Sequence, residues 1–270
     1  MQSAASDLAL LEEAAREAGA LARNLLAKPL QIESKGAAGP VTNVDFAVDA
    51  LLAAKLRSAR PDYGWLSEES EDIPDERIGK TRVFMLDPID GTSAMIERVP
   101  QFTICIGIVE NQRALAGAVY NPMTDEMFLG AIGNGATLNG KPMRASTRTV
   151  LEGASMISQK RLISSRKWPL AWPDMHIEQP QSIAYRLALT ACGRADAALI
   201  LGAKHEWDIA AGAALVEAAG GRVSDPWGEP LRFNQREPRG PGAIASGAAL
   251  HPLLIERTHH IADPRKAETT

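Results

Sequence analysis

The chain has 270 residues, 45% of them hydrophobic, enough to bury one large core or two moderate ones. Its formal charge of -4 and pI near 5.8 give no electrostatic reason to expect nucleic-acid binding. No run nears the ~20 apolar residues of a membrane span, and the acidic, amphipathic start lacks the basic-then-apolar order of a secretion leader, so a cytoplasmic protein is expected. The two cysteines, Cys105 and Cys192, stand among apolar neighbours and read as small buried hydrophobes in a reducing compartment.

From 7 to 28, Leu8, Leu11, Ala15, Ala18, Ala22 and Leu25 recur at helical spacing, with Ser6 as the N-cap and Pro29 as the stop. A glycine-rich loop, Lys35-Gly36-Ala37-Ala38-Gly39-Pro40-Val41-Thr42-Asn43-Val44-Asp45, leads into a second helix carrying Phe46, Val48, Leu52 and Leu56. Asp45 falls in its first turn, where an acid ordinarily compensates the helix dipole. Trp65-Leu66-Ser67-Glu68-Glu69-Ser70 has the look of a solvated turn, and a charged loop over 71–80 leads to a strand over 82–86.

That strand feeds the central stretch, Met85-Leu86-Asp87-Pro88-Ile89-Asp90-Gly91-Thr92-Ser93. Two carboxylates three residues apart, separated by a proline that interrupts a strand ladder, can turn toward one space. Asp87, Asp90 and the Ile89 carbonyl offer only oxygen, the donor Mg2+ prefers. A helix starting near Ser93 would aim free N–H groups at the same space and hold an anion such as phosphate. Asp-Pro and Asp-Gly pairs are equally at home in surface turns, where the aspartate caps its own backbone.

Downstream, 102–109 and 114–120 are strands joined through Glu110-Asn111-Gln112-Arg113, a further strand covers 126–129, and Asn139-Gly140 marks a tight hairpin. Short turns between successive strands predict an antiparallel sheet, giving an N-terminal unit over 1–146. A second unit over 147–262 opens with a strand at 154–158. Its segment 159–181 holds Lys160, Arg161, Arg166 and Lys167, read as solvated surface or the mouth of a pocket. A helix over 182–192 closed by Gly193, a strand over 197–201, a helix from Trp207 to Gly220 and a last helix near 249–258 follow, before a polar tail at 263–270. Asp208 by default caps its helix.

The central nonapeptide resembles the signature of the inositol monophosphatase family, Mg2+-dependent, lithium-sensitive phosphatases of small phosphomonoesters. Val41-Thr42-x-x-Asp45, Glu68-Glu69 and Trp207-Asp208-x-Ala210-Ala211-Gly212 resemble its other signatures, in order and at workable spacing. Ser67 departs from the glycine usual before the two glutamates. Lys35 matches a family lysine near the site. The resemblance implies an α/β layered αβαβα sandwich of the sugar-phosphatase type, with an antiparallel N-terminal sheet, a mixed C-terminal sheet and the site between them.

It further implies two to three Mg2+ ions: one on Glu68, Asp87 and the Ile89 carbonyl, a second on Asp87, Asp90 and Asp208, and a weaker third on Asp45 and Glu68. Glu68 and Thr92 would orient the attacking water, Asp45 would hydrogen-bond the Thr92 hydroxyl, and the N–H groups of Gly91 and Thr92 would hold the phosphate. A small phosphorylated metabolite and a homodimer are the expected partners. Around the pocket, Ser182 follows Gln181 where the family has glycine, and Leu201 replaces a glutamate that grips sugar hydroxyls, with Lys204 and His205 close by. The body of the chain resembles the generic inositol monophosphatase type and implies inositol monophosphate or a similar sugar or polyol phosphate, while the lost acid and the nearby lysine imply a 3'(2'),5'-bisphosphate nucleotide as the alternative. A regulatory binding role, as in some bacterial relatives linked to transcription, is opposed by the intact set of acids.

Overall fold

Two-residue alternation along the strands sends apolar side chains to both faces, and this is what stacks the chain in layers. The computed structural model describes residues 3–36, 39–165 and 168–263. Arg166, Lys167, Ala37, Ala38 and the tail beyond 263 lie outside the described residues.

Helix α1 (Ala4–Leu26) is capped by Ser3, whose Oγ accepts the Ser6 N–H at 3.2 Å. Ser6 therefore lies inside the first turn and is not the N-cap. A short antiparallel pair, β1 (Ile32–Ser34) and β2 (Pro40–Thr42), precedes α2 (Asn43–Ala59). Then come β3 (Gly64–Ser67), the single turn α3 (Pro74–Arg77), β4 (Arg82–Asp90), the single turn α4 (Thr92–Ile96), β5 (Thr103–Glu110), β6 (Arg113–Asn121), β7 (Glu126–Ala131), β8 (Gly135–Leu138) and β9 (Lys141–Met143). The seven strands β3 to β9 form one sheet in chain order. All its pairs are antiparallel except β3 with β4, because α3 and its flanking loop carry the chain back to the same end.

The second half contributes β10 (Ser155–Ile157), α5 (Lys160–Ile163), β11 (His176–Glu178), α6 (Ile183–Ala191), β12 (Ala197–His205), α7 (Glu206–Ala218), β13 (Gly221–Ser224), β14 (Arg239–Gly247) and α8 (His251–Thr258). Its sheet is mixed, in the order β11-β10-β12-β14-β13, with β10 parallel to both neighbours.

Phe84, Leu86, Ile104, Ile106 and Ile108 meet α1 and α2 on one face of the first sheet. Val83, Met85, Cys105 and Val109, on alternate positions, meet α6, α7 and the second sheet. Ala198 and Ile200 of β12 join that inner core, whereas Ala197 and Leu199 face outward against Leu250 and Leu254 at α8. The result is the expected αβαβα sandwich.

Helix α7 lies in the middle layer and is buried at Ile209, Ala210, Ala211, Ala213, Ala214, Leu215 and Val216. Its small side chains let it approach the first sheet at two glycines of β5 and β6. A Cβ on Gly117 would sit 2.9 Å from the Ala211 Cα and closer still to its carbonyl oxygen, and one on Gly107 3.0 Å from the Ala211 nitrogen. Backbone against backbone leaves no side chain to yield. Gly117→Ala is expected to lower stability by about 3 kcal/mol, at the upper end of overpacking effects. Urea unfolding reads it directly, and a loss below about 0.5 kcal/mol would mean that α7 can slide.

Candidate active site

The antiparallel pairing of β4 with β5 matches Asp87 to Cys105, shifts register, and resumes with Asp90 opposite Thr103. Pro88 has no N–H to give the ladder, which is why the break falls there. The chain leaves the strand at Gly91, whose φ of 96° suits only a residue without Cβ, and turns into α4 at Thr92, one residue before the expected start. Asp87 Oδ1 accepts the Ile89 N–H at 3.0 Å. The Ile89 side chain is 1% exposed, so it is the backbone of this residue that borders the cleft.

Asp90, Asp87, Glu68, Asp208, Gly91 and Thr92 line one cleft of about 260 Å3, with Gly39 and Pro40 opposite. Each acid is set by local structure. Asp90 Oδ2 accepts the Ser182 Oγ–H at 2.7 Å and the Ala184 N–H at 2.5 Å, so the start of α6 fixes a side chain ninety residues upstream. Asp208 Oδ2 accepts the His205 N–H at 3.2 Å in the first turn of α7. Glu68, just after β3, is held by the Lys35 Nζ at 3.1 Å, and the same amine bonds Glu69 at 2.6 Å.

Asp45 stands behind the cleft. Its Oδ2 accepts from the Thr42 N–H at 2.9 Å and hydroxyl at 2.7 Å, closing a capping box on α2. Its Oδ1 accepts the Thr92 hydroxyl at 2.9 Å, the hydrogen bond that the family resemblance implies. The same hydroxyl lies 3.1 Å from the Ile89 carbonyl oxygen.

Burial pushes the Asp87 and Asp208 carboxyls well above the usual range. The charges of Glu68, Asp90, Asp208 and Asp45 add to the effect at Asp87, and those of Asp90 and Glu68 at Asp208. Asp90 and Asp45 are also raised by burial, though their hydrogen bonds oppose it. Glu69 is pushed up to about 7 by burial against the pull of Lys35.

This donor set fits hard divalent cations, being carboxylates and one carbonyl with uncompensated negative charge. Asp87 and Asp208 each keep one oxygen without a hydrogen-bond partner among the described residues. The acids surround the cleft instead of closing into a cage, and no group of three among the described residues is gathered into one. Glu68, Asp87, the Ile89 carbonyl, Asp90 and Asp208 could hold cations there. Asp45, expected beside a weaker third cation, is off the cleft wall with both oxygens in hydrogen bonds, and it is tied to the cleft through Thr92.

The raised acids predict a pH dependence with a definite sign. Below the unfolded carboxyl range both states are protonated and the cluster contributes nothing. Above it the unfolded chain ionises while the folded site retains protons, so its contribution to stability falls from about pH 4 until Glu69 titrates at about 7. Melting curves from pH 4 to 8 in EDTA should show this loss, and Mg2+ should flatten it. Parallel curves with and without Mg2+ would argue against cation binding by these acids.

The expected pocket residues divide. Leu201 and Lys204 border an adjoining cleft of about 360 Å3 that shares Gln181 with the first. Ser182 is fully buried as the N-cap of α6 and serves Asp90. His205 lines neither cleft: its ring stacks on Trp207 at 4.2 Å between centroids. Two residues escaped sequence reasoning. Arg186, on the wall of the adjoining cleft, was legible as a lone cation in the apolar run of α6. Glu206, which accepts the Asn234 and Gln235 N–H groups, left no signal.

The chain folds as a five-layer αβαβα sandwich with an acidic cleft at the register break of its first sheet. The family model described as "Inositol monophosphatase family" matches residues 4–262, and the chain belongs to that family. Tomato (Solanum lycopersicum) "Inositol monophosphatase 2" is 30% identical over 252 residues, covering 89% of this chain and 95% of the relative. The "Nus factor SuhB" of Escherichia coli K12 is 33% identical over 223 residues, 78% of this chain and 82% of its own. The crystal structure of the extragenic suppressor protein suhB from Bartonella henselae superposes with a TM-score of 0.81 at 29% identity, covering 95% of this chain and 100% of that one. Among the described residues no helix is long and apolar enough to cross a membrane.

Proposed function

We propose that this chain is a Mg2+-dependent phosphomonoester hydrolase acting on inositol monophosphate or a similar small sugar or polyol phosphate. The observation that carries the reading is the convergence of Glu68, Asp87, Ile89, Asp90 and Asp208 on one cleft beside the Asp45–Thr92 hydrogen bond. Bound Mg2+ would spread positive charge over the phosphoryl oxygens and lower the pKa of water.

The protein's own groups do the rest by position. Asp45 fixes the Thr92 hydroxyl, so that Thr92 and Glu68 orient the attacking water and Glu68 accepts its proton. The N–H groups of Gly91 and Thr92 hold the phosphate in line. Lys35 keeps Glu68 in place. A cytoplasmic homodimer completes the proposal, supported by two free thiols and by family membership.

A bisphosphate nucleotide is the second reading, favoured by Leu201 and Lys204 on the adjoining cleft, which offer a cation and no acid. Phosphate release from inositol 1-phosphate, fructose 1,6-bisphosphate, histidinol phosphate and adenosine 3',5'-bisphosphate separates these readings. No turnover of any with Mg2+ present would instead favour a regulatory role like that named for the Nus factor relative. Lithium at millimolar levels is expected to inhibit by competing for an oxygen-only cation site. Full activity in its presence would remove the second cation from the proposal.

A further inference from the structure

Beside the acidic cleft lies a second one with the opposite character. Its wall carries Gln159, Gln181, Ile183, Arg186, Leu201 and Lys204, and among the described residues no acidic side chain borders it. Arg186 enters from the first turns of α6, where its Nε donates to the Pro180 carbonyl at 2.7 Å and its Nη2 to the Gln181 carbonyl at 3.2 Å. Both partners are neutral, and its Nη1 has no partner among the described residues. Burial weakens its hold on its proton, opposed by the charge of Asp90.

Lys204 comes to the cleft from β12. The pairing of β12 with β14 shifts register between Leu201 and Lys204, and Gly202 adopts a φ of 85° there. The Lys204 Nζ bonds only its neighbour's carbonyl, Ala203 O, at 3.3 Å. Neither cation forms an ion pair with an acid among the described residues. Asp90, the acid that stabilises Arg186 electrostatically, belongs to the cation-binding cleft, where a divalent ion would cancel its field at the guanidinium. A half-buried guanidinium and an ammonium border a cleft whose wall holds no acid among the described residues, with Asp90 and Asp208 acting on them only from the cation-binding cleft, and such a pair suits an anion.

We propose that Arg186 and Lys204 form a subsite for a second anionic group of the substrate, a phosphate, sulfate or carboxylate, held while the first phosphate occupies the acidic cleft. The subsite rests on the phosphatase reading and deepens its second branch, favouring phosphomonoesters that carry another negative charge over inositol monophosphate. Arg186 supplies the planar fork and its Nη1, and Lys204 supplies a point charge that can follow groups of different reach. Leu201, where an acid would repel such a group, leaves that wall neutral.

The test compares kcat/KM, with saturating Mg2+, for two matched pairs: fructose 1-phosphate with fructose 1,6-bisphosphate, and adenosine 3'-phosphate with adenosine 3',5'-bisphosphate. The parent is expected to favour the doubly anionic member of at least one pair by about tenfold or more. Arg186→Met and Lys204→Met should each lower that ratio by about tenfold, and Arg186→Lys should retain most of it. Lys204 is partly exposed and its Nζ bonds only a neighbouring backbone carbonyl, so its variant reports even if Arg186→Met folds poorly. A parent without preference in either pair, or ratios unchanged in both Met variants, would overturn the subsite. Activity on p-nitrophenyl phosphate keeps the two readings apart: if it persists with Mg2+ while the ratios fail, only the subsite falls, and if the parent lacks it, the phosphatase reading falls and the subsite with it.

Discussion

Asp90→Asn is expected to lower turnover of a small phosphomonoester by several orders of magnitude while leaving the fold intact. An asparagine oxygen can still accept from Ser182 Oγ and the Ala184 N–H, so the start of α6 keeps its anchor. One of the charges that raise the Asp87 and Asp208 carboxyls disappears, and the protein without metal should melt at the same temperature or slightly higher. The cation that would stabilise the leaving oxygen is then weakly held or misplaced. Mg2+ should therefore raise the melting temperature of the parent more than that of the variant, by linkage of binding to folding. Turnover and melting, each with and without Mg2+, decide the matter. A variant that keeps most of its activity and the full Mg2+ shift would make the central stretch an ordinary turn.

The largest effect on stability is expected at Arg77, the bulkiest fully buried side chain, at 0% exposure. Its Nε and Nη2 grip Asp72 at 2.6 and 2.7 Å, and Nη1 reaches Asn234 Oδ1 at 2.8 Å and the Gln235 carbonyl at 3.0 Å. The N–H groups of Asn234 and Gln235 turn the other way, to Glu206 at 2.5 and 3.1 Å. Glu206 opens α7 two residues before Asp208, and burial pushes its carboxyl up to about 7 despite those bonds. Arg77→Met would strand Asp72 and two carbonyls at once. Losing one partner of a buried pair costs about 3–5 kcal/mol, and because Asp72 is 25% exposed the lower end, about 3 kcal/mol, is expected. Denaturant unfolding should show a loss of that size, and Mg2+ titration a weaker affinity as Asp208 loses support. A loss under about 1 kcal/mol would mean that water replaces the guanidinium.

The site was more legible than its surroundings because its residues occupy turns, where few residue types work. Asp87-Pro88-Ile89-Asp90-Gly91 needs a proline at the ladder break and a glycine at positive φ, and that constraint is visible in one dimension. Strand β14 was not seen, since Arg239-Gly240-Pro241-Gly242 reads as loop. It is a strand because β12 and β13 pair with it on both sides, and Gly242 packs against the Ile200 carbonyl where no Cβ fits. The parallel β3 edge was likewise hidden, being fixed by the path through α3. Lys204 and His205 are adjacent in sequence, yet the register shift and the stack on Trp207 send them to different places. Arg77 and Glu206 act across 157 and 28 residues, separations that leave no local pattern.

The position of α7 has a bearing on how the molecule is made. During synthesis the strands from β4 to β7 emerge first, with α1 and α2 ready to cover one face. The face carrying Gly107 and Gly117 has no partner until residues 206–218 have left the ribosome, about ninety residues after β6 is complete. Through that interval the nascent sheet carries an uncovered apolar face on its Val83, Met85, Cys105 and Val119 side. Cotranslational folding of this chain is thus delayed by its own topology, and the same helix that ends the delay delivers Asp208. The acidic cleft and the covering of the sheet are completed by one element, so no chain that ends before α7 holds the full set of acids.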